Sequence, residues 1–112
     1  SVGELKVLTA NINEADANKL RQMGDLLRDK APNVVGVLAT VNGEKITFLA
    51  VCGKEAVAKG IKAGDIIKTV TAICGGKGGG KPDSAMGGGS DVSKLDNALA
   101  CVDDFVSQKL GL

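Results

Sequence analysis

The chain has 112 residues, enough for one globular domain, residues 1–112, around a single modest core. Its net charge of +1 argues against a strongly basic nucleic-acid binder, and its two aromatic residues, both Phe, argue against a module that stacks bases on aromatic rings. The absence of His excludes Ser–His and Cys–His nucleophile pairs and the commonest general base.

The chain begins with the pattern of a strand followed by that of a helix. Residues Glu4 to Ile12 alternate in the manner of a strand. Asp16 is suited to cap the helix N-terminus, because its carboxylate can accept hydrogen bonds from the first helical N–H groups. Pro32 stops the helix, whose predicted apolar face consists of Leu20, Met23, Leu27 and Ala31.

A predicted β-hairpin follows. Val34 to Val41 is apolar at almost every position, which is typical of a central strand that is buried on both faces. Asn42 and Gly43 form the preferred pair for a two-residue turn in which both residues need positive φ. Glu44 to Cys52 is the antiparallel partner, and its apolar residues divide between two faces: Ile46, Phe48 and Ala50 on one, Thr47, Leu49 and Val51 on the other.

The second half of the chain is mostly helical in pattern. A short helix is predicted from residue 54 to residue 60 and a longer one from Ala63 to Cys74, with Gly75 and Gly76 as a left-handed cap. Ser93 and Asp96 resemble a capping box for a last helix. The apolar stripe of that helix predicts core packing and consists of Leu95, Leu99, Val102, Val106 and Leu110.

These elements occur in the order strand, helix, strand, strand, helix, loop, helix. The order predicts an α/β fold, a small mixed-sheet sandwich with helices packed on the sheet. The loop in this series is residues 75–89, GGKGGGKPDSAMGGG, in which eight of fifteen residues are glycine. Glycine at this density suits a tight turn or a backbone that approaches another group closely.

Besides a binding loop, three interpretations of this segment remain open. A flexible linker would leave the amphipathic helix after it without a core. A nucleotide P-loop is disfavoured, because Pro82 stands where the metal-binding Ser or Thr would be and the motif follows a helix rather than a strand. A purely structural turn is the third. Lysines support a binding role, since residues 53–82 contain six Lys and two acidic residues, a local charge of +4.

The glycine motif resembles that of the C-terminal domains of alanyl-tRNA synthetases. In those domains the motif reads GGKGGG, then a basic residue, then Pro-Asp and more glycine, and here the corresponding residues are Gly75 to Asp83. The similarity covers essentially the whole chain, with four further segments in matching order. They are Leu5 to Val7, the helix start from Asp16 to Arg21, Val34 to Val41, and Lys62 to Ile67. That family belongs to the wider group of DHHA1-type domains, which are also appended to DHH-type phosphoesterases.

The resemblance implies a non-catalytic domain that contacts the elbow of tRNA(Ala). Such a domain would bring the tRNA to the aminoacylation and editing centres of an alanine–tRNA ligase. Asp83 is expected to fix the turn rather than to accept a bond from a ribose hydroxyl. The expected RNA-binding residues are lysines for phosphate, glycines for close backbone approach and one lysine at a helix start: Lys77, Lys81, Gly76, Gly78, Gly79, Gly80 and Lys62.

The resemblance also sets expectations for cofactors and partners. The parent enzyme would use ATP, Mg and a zinc in its editing domain, and none of these is expected in this fragment. Its partners would be tRNA(Ala), other domains of the same synthetase, and a second copy joined through an upstream helical segment. The abrupt start at Ser1 predicts a fragment of a longer chain. No apolar run is long enough for a membrane span, so no membrane partner is expected.

Two other functions remain as alternatives. The chain could be the substrate-binding DHHA1 domain of a DHH-type phosphoesterase, although members of that class carry His in the glycine motif and this chain has none. It could also be a dimerisation or interaction module in which the glycine loop packs against another subunit. The widely spaced Cys52, Cys74 and Cys101 lie in apolar stretches, which predicts buried thiols in a reducing compartment, the cytoplasm.

Overall fold

The computed structural model describes residues 5–12, 16–81 and 83–110, and they form one mixed sheet with helices on both faces. Within that part of the chain no helix combines the length and hydropathy needed to cross a membrane. In chain order the elements are β1 (Lys6–Asn11), α1 (Ala17–Lys30), β2 (Val34–Asn42), β3 (Lys45–Cys52), α2 (Lys54–Ala58), α3 (Ala63–Ile73), β4 (Lys77–Gly80), β5 (Ser84–Gly89), a 3₁₀ turn (Val92–Lys94) and α4 (Leu95–Leu110).

The sheet has the strand order β1-β2-β3-β5-β4. β1 and β2 are parallel, because α1 connects them as a crossover, whereas all the other neighbouring strands are antiparallel. β2 lies inside the sheet, and its residues Val34 to Thr40 are buried, which confirms the prediction of a strand covered on both faces. The predicted α/β sandwich is therefore confirmed.

The two faces of the sheet carry two separate cores. Ile46, Phe48 and Ala50 of β3 face the larger core, which α3 and α4 cover. Leu49 and Val51, on the opposite face, pack with Leu20 of α1 in the smaller core. The predicted division of β3 into two faces is confirmed, and so is the role of the last helix, since Leu95, Val102 and Val106 are buried in the larger core. Leu110 lies outside the side chains that the structure describes.

The start and end of α1 agree with the sequence. The Asp16 carboxylate accepts a hydrogen bond from the Lys19 backbone N–H at 2.8 Å. The helix ends at Lys30, two residues before Pro32, and Ala31 is its C-cap. The predicted Ala31 position on the helical face is thus one residue beyond the helix, whereas Leu20 is fully buried beneath it.

The turn between β2 and β3 lies one residue later than predicted. Asn42 pairs with Lys45, so the two-residue turn consists of Gly43 and Glu44, and Gly43 has a φ of +65°. The predicted pair Asn42 and Gly43 is therefore wrong. The observed register places Val41 opposite Ile46, two apolar residues on the face of the larger core, where the predicted turn would have placed Val41 opposite Glu44.

The predicted glycine loop is wrong as an element, because residues 77–80 and 84–89 are the strands β4 and β5, which pair as an antiparallel hairpin at the edge of the sheet. Glycine is depleted in strands, so local propensity gave no signal for these two strands. The capping box is also wrong. Ser93 lies inside the 3₁₀ turn and donates its hydroxyl to Asp91. The predicted left-handed cap after α3 is confirmed at Gly75, whose φ is +71°.

Close packing of α3 on the hairpin explains why glycine is required at positions 78 and 87. A Cβ atom at Gly78 would lie 2.5 Å from the Gly87 Cα and 2.5 Å from the Ile67 Cγ2 of α3. A Cβ atom at Gly87 would lie 2.7 Å from Ile67 Cγ2 and 2.8 Å from Thr71 Cγ2. The missing side chains therefore allow the helix and both strands to pack directly on one another.

We expect Gly78→Ala to lower the free energy of unfolding by about 1–3 kcal/mol, because the new methyl group overlaps backbone and Ile67 atoms that cannot all move aside. Gly79→Ala is the matched control. Its Cβ would have nothing nearer than the Lys68 Cε at 3.9 Å, so the variant should be as stable as the parent or about 0.4–1 kcal/mol more stable. Urea denaturation of both variants measures the difference, and equal midpoints would contradict this account of the packing.

Candidate nucleic-acid interface

Lys77 and Lys81 lie at the two ends of β4, and both side chains are exposed. Lys77 pairs with Gly88, Gly79 pairs with Met86, and the Lys81 N–H donates to the Ser84 carbonyl oxygen. Because side chains alternate along a strand, Lys77, Gly79 and Lys81 share the face of Met86, the face that α1 partly covers. Their Cα atoms are separated by about 13 Å, four residues at roughly 3.3 Å each.

The four glycines expected at the site differ in what surrounds them. A side chain at Gly76 would collide with the carbonyl group of Gly88, and one at Gly80 would lie 2.8 Å from the Ala85 Cα. Gly78 is blocked by α3, as described above. Only Gly79 has room for a side chain. The packing of the hairpin thus accounts for three of these glycines and leaves Gly79 without a steric reason.

Helix α3 brings two further lysines near the hairpin. Lys62 is the N-cap residue of α3, is exposed, and makes no side-chain capping bond. A Cβ atom at Gly64, two residues on, would lie 3.1 Å from the Gly80 oxygen, so Lys62 stands near the turn end of the hairpin. The Lys68 side chain extends from α3 towards β4, and its Cε would lie 3.9 Å from a Cβ atom at Gly79.

Helix α1 contributes two arginines that the sequence-based site did not include. The Arg28 guanidinium donates to Asp25 at 2.7 Å and to Asp83 at 2.9 Å, so it ties the hairpin turn to α1. Arg21 donates its Nε–H to the Met86 Sδ at 3.3 Å. The two arginines are seven residues apart, a spacing that places them on one helix face and was the available signal in the sequence.

The ion pairs determine which cations remain available to a ligand. Arg28 is neutralised by two carboxylates, one of which is Asp83. In the described parts of the chain, the other basic residues around the hairpin make no ion pair. They are Arg21, Lys62, Lys68, Lys77 and Lys81. The surface around the hairpin is therefore locally basic although the net charge of the whole chain is only +1.

Two open clefts flank the Arg28–Asp83 ion pair. The smaller has a volume of about 530 Å³ and lies between α1 and the hairpin, where it is lined by Arg21, Gly79, Lys81 and Met86. The larger has a volume of about 840 Å³ and is lined by Pro32, Cys52, Gly53, Lys54 and Val57. The smaller cleft contains two of the available cations, Arg21 and Lys81, whereas the larger one contains Lys54 and the Cys52 thiol.

The Cys52 thiol is not suited to act as a nucleophile. Burial, with a smaller contribution from the nearby Asp83 carboxylate, raises its pKa to about 12. Burial also raises the pKa of Cys74 and of Cys101. A buried thiol with a raised pKa is inert, so Cys52 supplies no nucleophile to the larger cleft. The prediction of buried thiols is confirmed for Cys52 and Cys74, whereas Cys101 is half-buried.

Comparison with known proteins agrees with this architecture. Residues 4–108 match the DHHA1 domain, so the chain belongs to the DHHA1 domain family. Within that family its homologues include the alanine–tRNA ligase of Methylobacillus flagellatus, 48% identical over 110 residues, which are 98% of this chain and 12% of that protein. The alanine–tRNA ligase of Bacillus cytotoxicus is 44% identical over 106 residues, 95% of this chain and again 12% of the relative.

A solved structure gives the same result for the fold. The C-Ala domain of the Aquifex aeolicus alanyl-tRNA synthetase superposes with a TM-score of 0.88 at 29% identity, and the match covers 96% of each chain. The chain is thus homologous to the C-terminal domain of alanyl-tRNA synthetase, as the glycine motif indicated. It spans about an eighth of the length of these curated relatives.

We expect the native chain to resist alkylation by iodoacetamide at pH 8 at Cys52 and Cys74, with the half-buried Cys101 labelled first. In denaturant all three thiols should react. Peptide mass spectrometry gives the order of labelling. The pKa of Cys52 is near its ordinary 9.0 in the unfolded chain and about 12 in the folded chain. The free energy of unfolding should therefore fall as the pH rises from 9.0 towards 12. Rapid labelling of Cys52 in the native chain would contradict its burial.

Proposed function

We propose that this chain is the non-catalytic, tRNA-binding C-terminal domain of an alanine–tRNA ligase. The observation that carries the proposal is the group of basic side chains without ion pairs around the β4–β5 hairpin, on a domain homologous to C-Ala. Their ammonium and guanidinium groups suit the phosphates of a folded RNA, since phosphate contacts fix position without reading sequence.

The geometry of the hairpin supports contacts to more than one phosphate. Lys77 and Lys81 stand about 13 Å apart on one face of the sheet, so each would reach a different phosphate group. Lys62 and Lys68 add positive charge from α3. The scarcity of aromatic residues favours the surface of a structured RNA over a single strand whose bases would need stacking partners.

In this proposal the ligand is tRNA(Ala) and the contact is at its elbow, away from the acceptor end. The domain would hold the tRNA while the acceptor end visits the aminoacylation and editing centres, which belong to other parts of a cytoplasmic synthetase. ATP, Mg and the editing zinc would act at those centres. This chain's own residues contribute binding and orientation alone.

A phosphoesterase appendage is the weaker alternative. The relatives described above are ligases, and the histidine of the phosphoesterase motif is replaced here by lysine-containing glycine sequence. Self-association through the hairpin is the other alternative. It would use the outer edge of β4, which no described strand covers.

We expect the double variant Lys77→Ala plus Lys81→Ala to bind tRNA(Ala) about tenfold more weakly than the parent chain, with the slope of log Kd against log salt reduced by about 2. Its unfolding midpoint should be unchanged, because both side chains are exposed and unpaired. Fluorescence anisotropy with labelled tRNA across a salt series measures the affinity and the slope together.

The matched control is Lys6→Ala plus Lys109→Ala. It removes the same charge from β1, at the opposite edge of the sheet, and from α4, which covers that region. The control should retain at least about half of the affinity. Equal losses of affinity in the two double variants would mean that binding depends on the net charge of the chain and not on the hairpin. Unchanged tRNA binding by Lys77→Ala plus Lys81→Ala would show that the hairpin is not the tRNA site. The same conclusion would follow if light scattering showed that the parent chain is a dimer and that this double variant is a monomer.

A further inference from the structure

Gly79 is the unexplained residue of the hairpin. The glycines before and after it are required by packing, but a Cβ atom at Gly79 would meet nothing nearer than 3.9 Å. Its φ lies outside the left-handed region that favours glycine, so backbone strain gives no reason either. Glycine in a strand also weakens the strand. Glycine at this position weakens the strand and is not required by the packing, so it suits a place where another molecule approaches the main chain closely.

The surroundings of Gly79 show from which side that molecule would come. On the opposite face of the hairpin, Ile67 and Thr71 of α3 fill the space above Gly78 and Gly87. On the face of Gly79 itself, α1 and the hairpin enclose a cleft lined by Arg21 and Met86. The atom nearest to a Gly79 Cβ there would be the Lys68 Cε at 3.9 Å, so a side chain has room on this open face and not on the α3 face.

Charged groups border the open face on two sides. Lys77 and Lys81 project from β4 on this face, before and after Gly79. Arg21 borders it from α1, with its Nε–H on the Met86 Sδ at 3.3 Å and no carboxylate partner among the described residues. Sulfur is a weak acceptor, so this contact orients the guanidinium and leaves most of its donors for a ligand.

We infer that the α1-facing side of the hairpin, with Gly79 as its floor, is the surface on which the RNA lies, and that Arg21 is a further binding residue there. The inference rests on the proposed function and specifies its site. The sugar-phosphate chain lies directly on the main chain at Gly79, Lys77 and Lys81 bind phosphates on the strand side, and Arg21 binds one on the helix side. Arginine suits this role because its planar donor group matches phosphate.

The test separates binding from stability at Gly79. Gly79→Ala and Gly79→Val should raise the Kd for tRNA(Ala) by about fivefold and by more than about tenfold, because each added group lifts the RNA from the main chain. The unfolding midpoint of Gly79→Ala should stay equal to that of the parent or rise. A glycine kept for structural reasons alone would show the reverse, lower stability with unchanged affinity.

A pair of single-charge variants tests the side of approach. Arg21→Gln should raise the Kd by about fivefold and reduce the salt slope by about 1. Lys62→Gln removes the same charge from the α3 side and should raise the Kd by less than Arg21→Gln does. Both measurements use the 112-residue chain and a tRNA(Ala) transcript.

The outcomes distinguish this inference from the proposed function. Parent-like affinity in both Gly79 variants, or a larger effect of Lys62→Gln than of Arg21→Gln, overturns the inference. If the Lys77 and Lys81 double variant still loses affinity in that case, the hairpin binds RNA from its edge or its α3 side and the proposed function stands. If the double variant also binds like the parent, both fail together.

Discussion

The direct contact between α3 and the β4–β5 hairpin is the constraint on which the rest of this structure depends. It exists because Gly78 and Gly87 have no side chains, so that Ile67 and Thr71 rest on strand backbone. The same contact holds β4 at the edge of the sheet, a position that strand propensity alone would not support. Once β4 is fixed, its lysines are fixed as well, one at each end and both on the face away from α3.

Glycine has two separate roles in the hairpin. At most positions it allows helix and strands to approach, which is a requirement of the domain's own packing. At Gly79 a side chain would have room, with the Lys68 Cε as its nearest neighbour at 3.9 Å, so the domain's own packing does not require glycine there. A single glycine-rich motif therefore mixes glycines that packing requires with one that it does not, and only the neighbours of each glycine distinguish them.

The basic surface arises from assembly of distant segments rather than from overall composition. The net charge is +1, yet Arg21 from the first helix lies beside a hairpin that begins more than fifty residues later. Arg28, on the same helix face, is neutralised by Asp25 and Asp83 and instead anchors the hairpin turn to α1. Two arginines of one helix thus have different roles because of the carboxylates that tertiary folding places near them.

The sequence by itself determined the alternation of β3, the two-sided burial of β2, the Asp16 cap and the apolar stripe of α4, because these follow from local periodicity and short-range hydrogen bonding. Its glycine motif also determined the family. It did not reveal that residues 77–80 and 84–89 are strands, that the turn after β2 uses Gly43 and Glu44, or that Arg21 borders the candidate site. The tertiary structure decided these features, because each depends on contacts between segments whose partners no local pattern specifies.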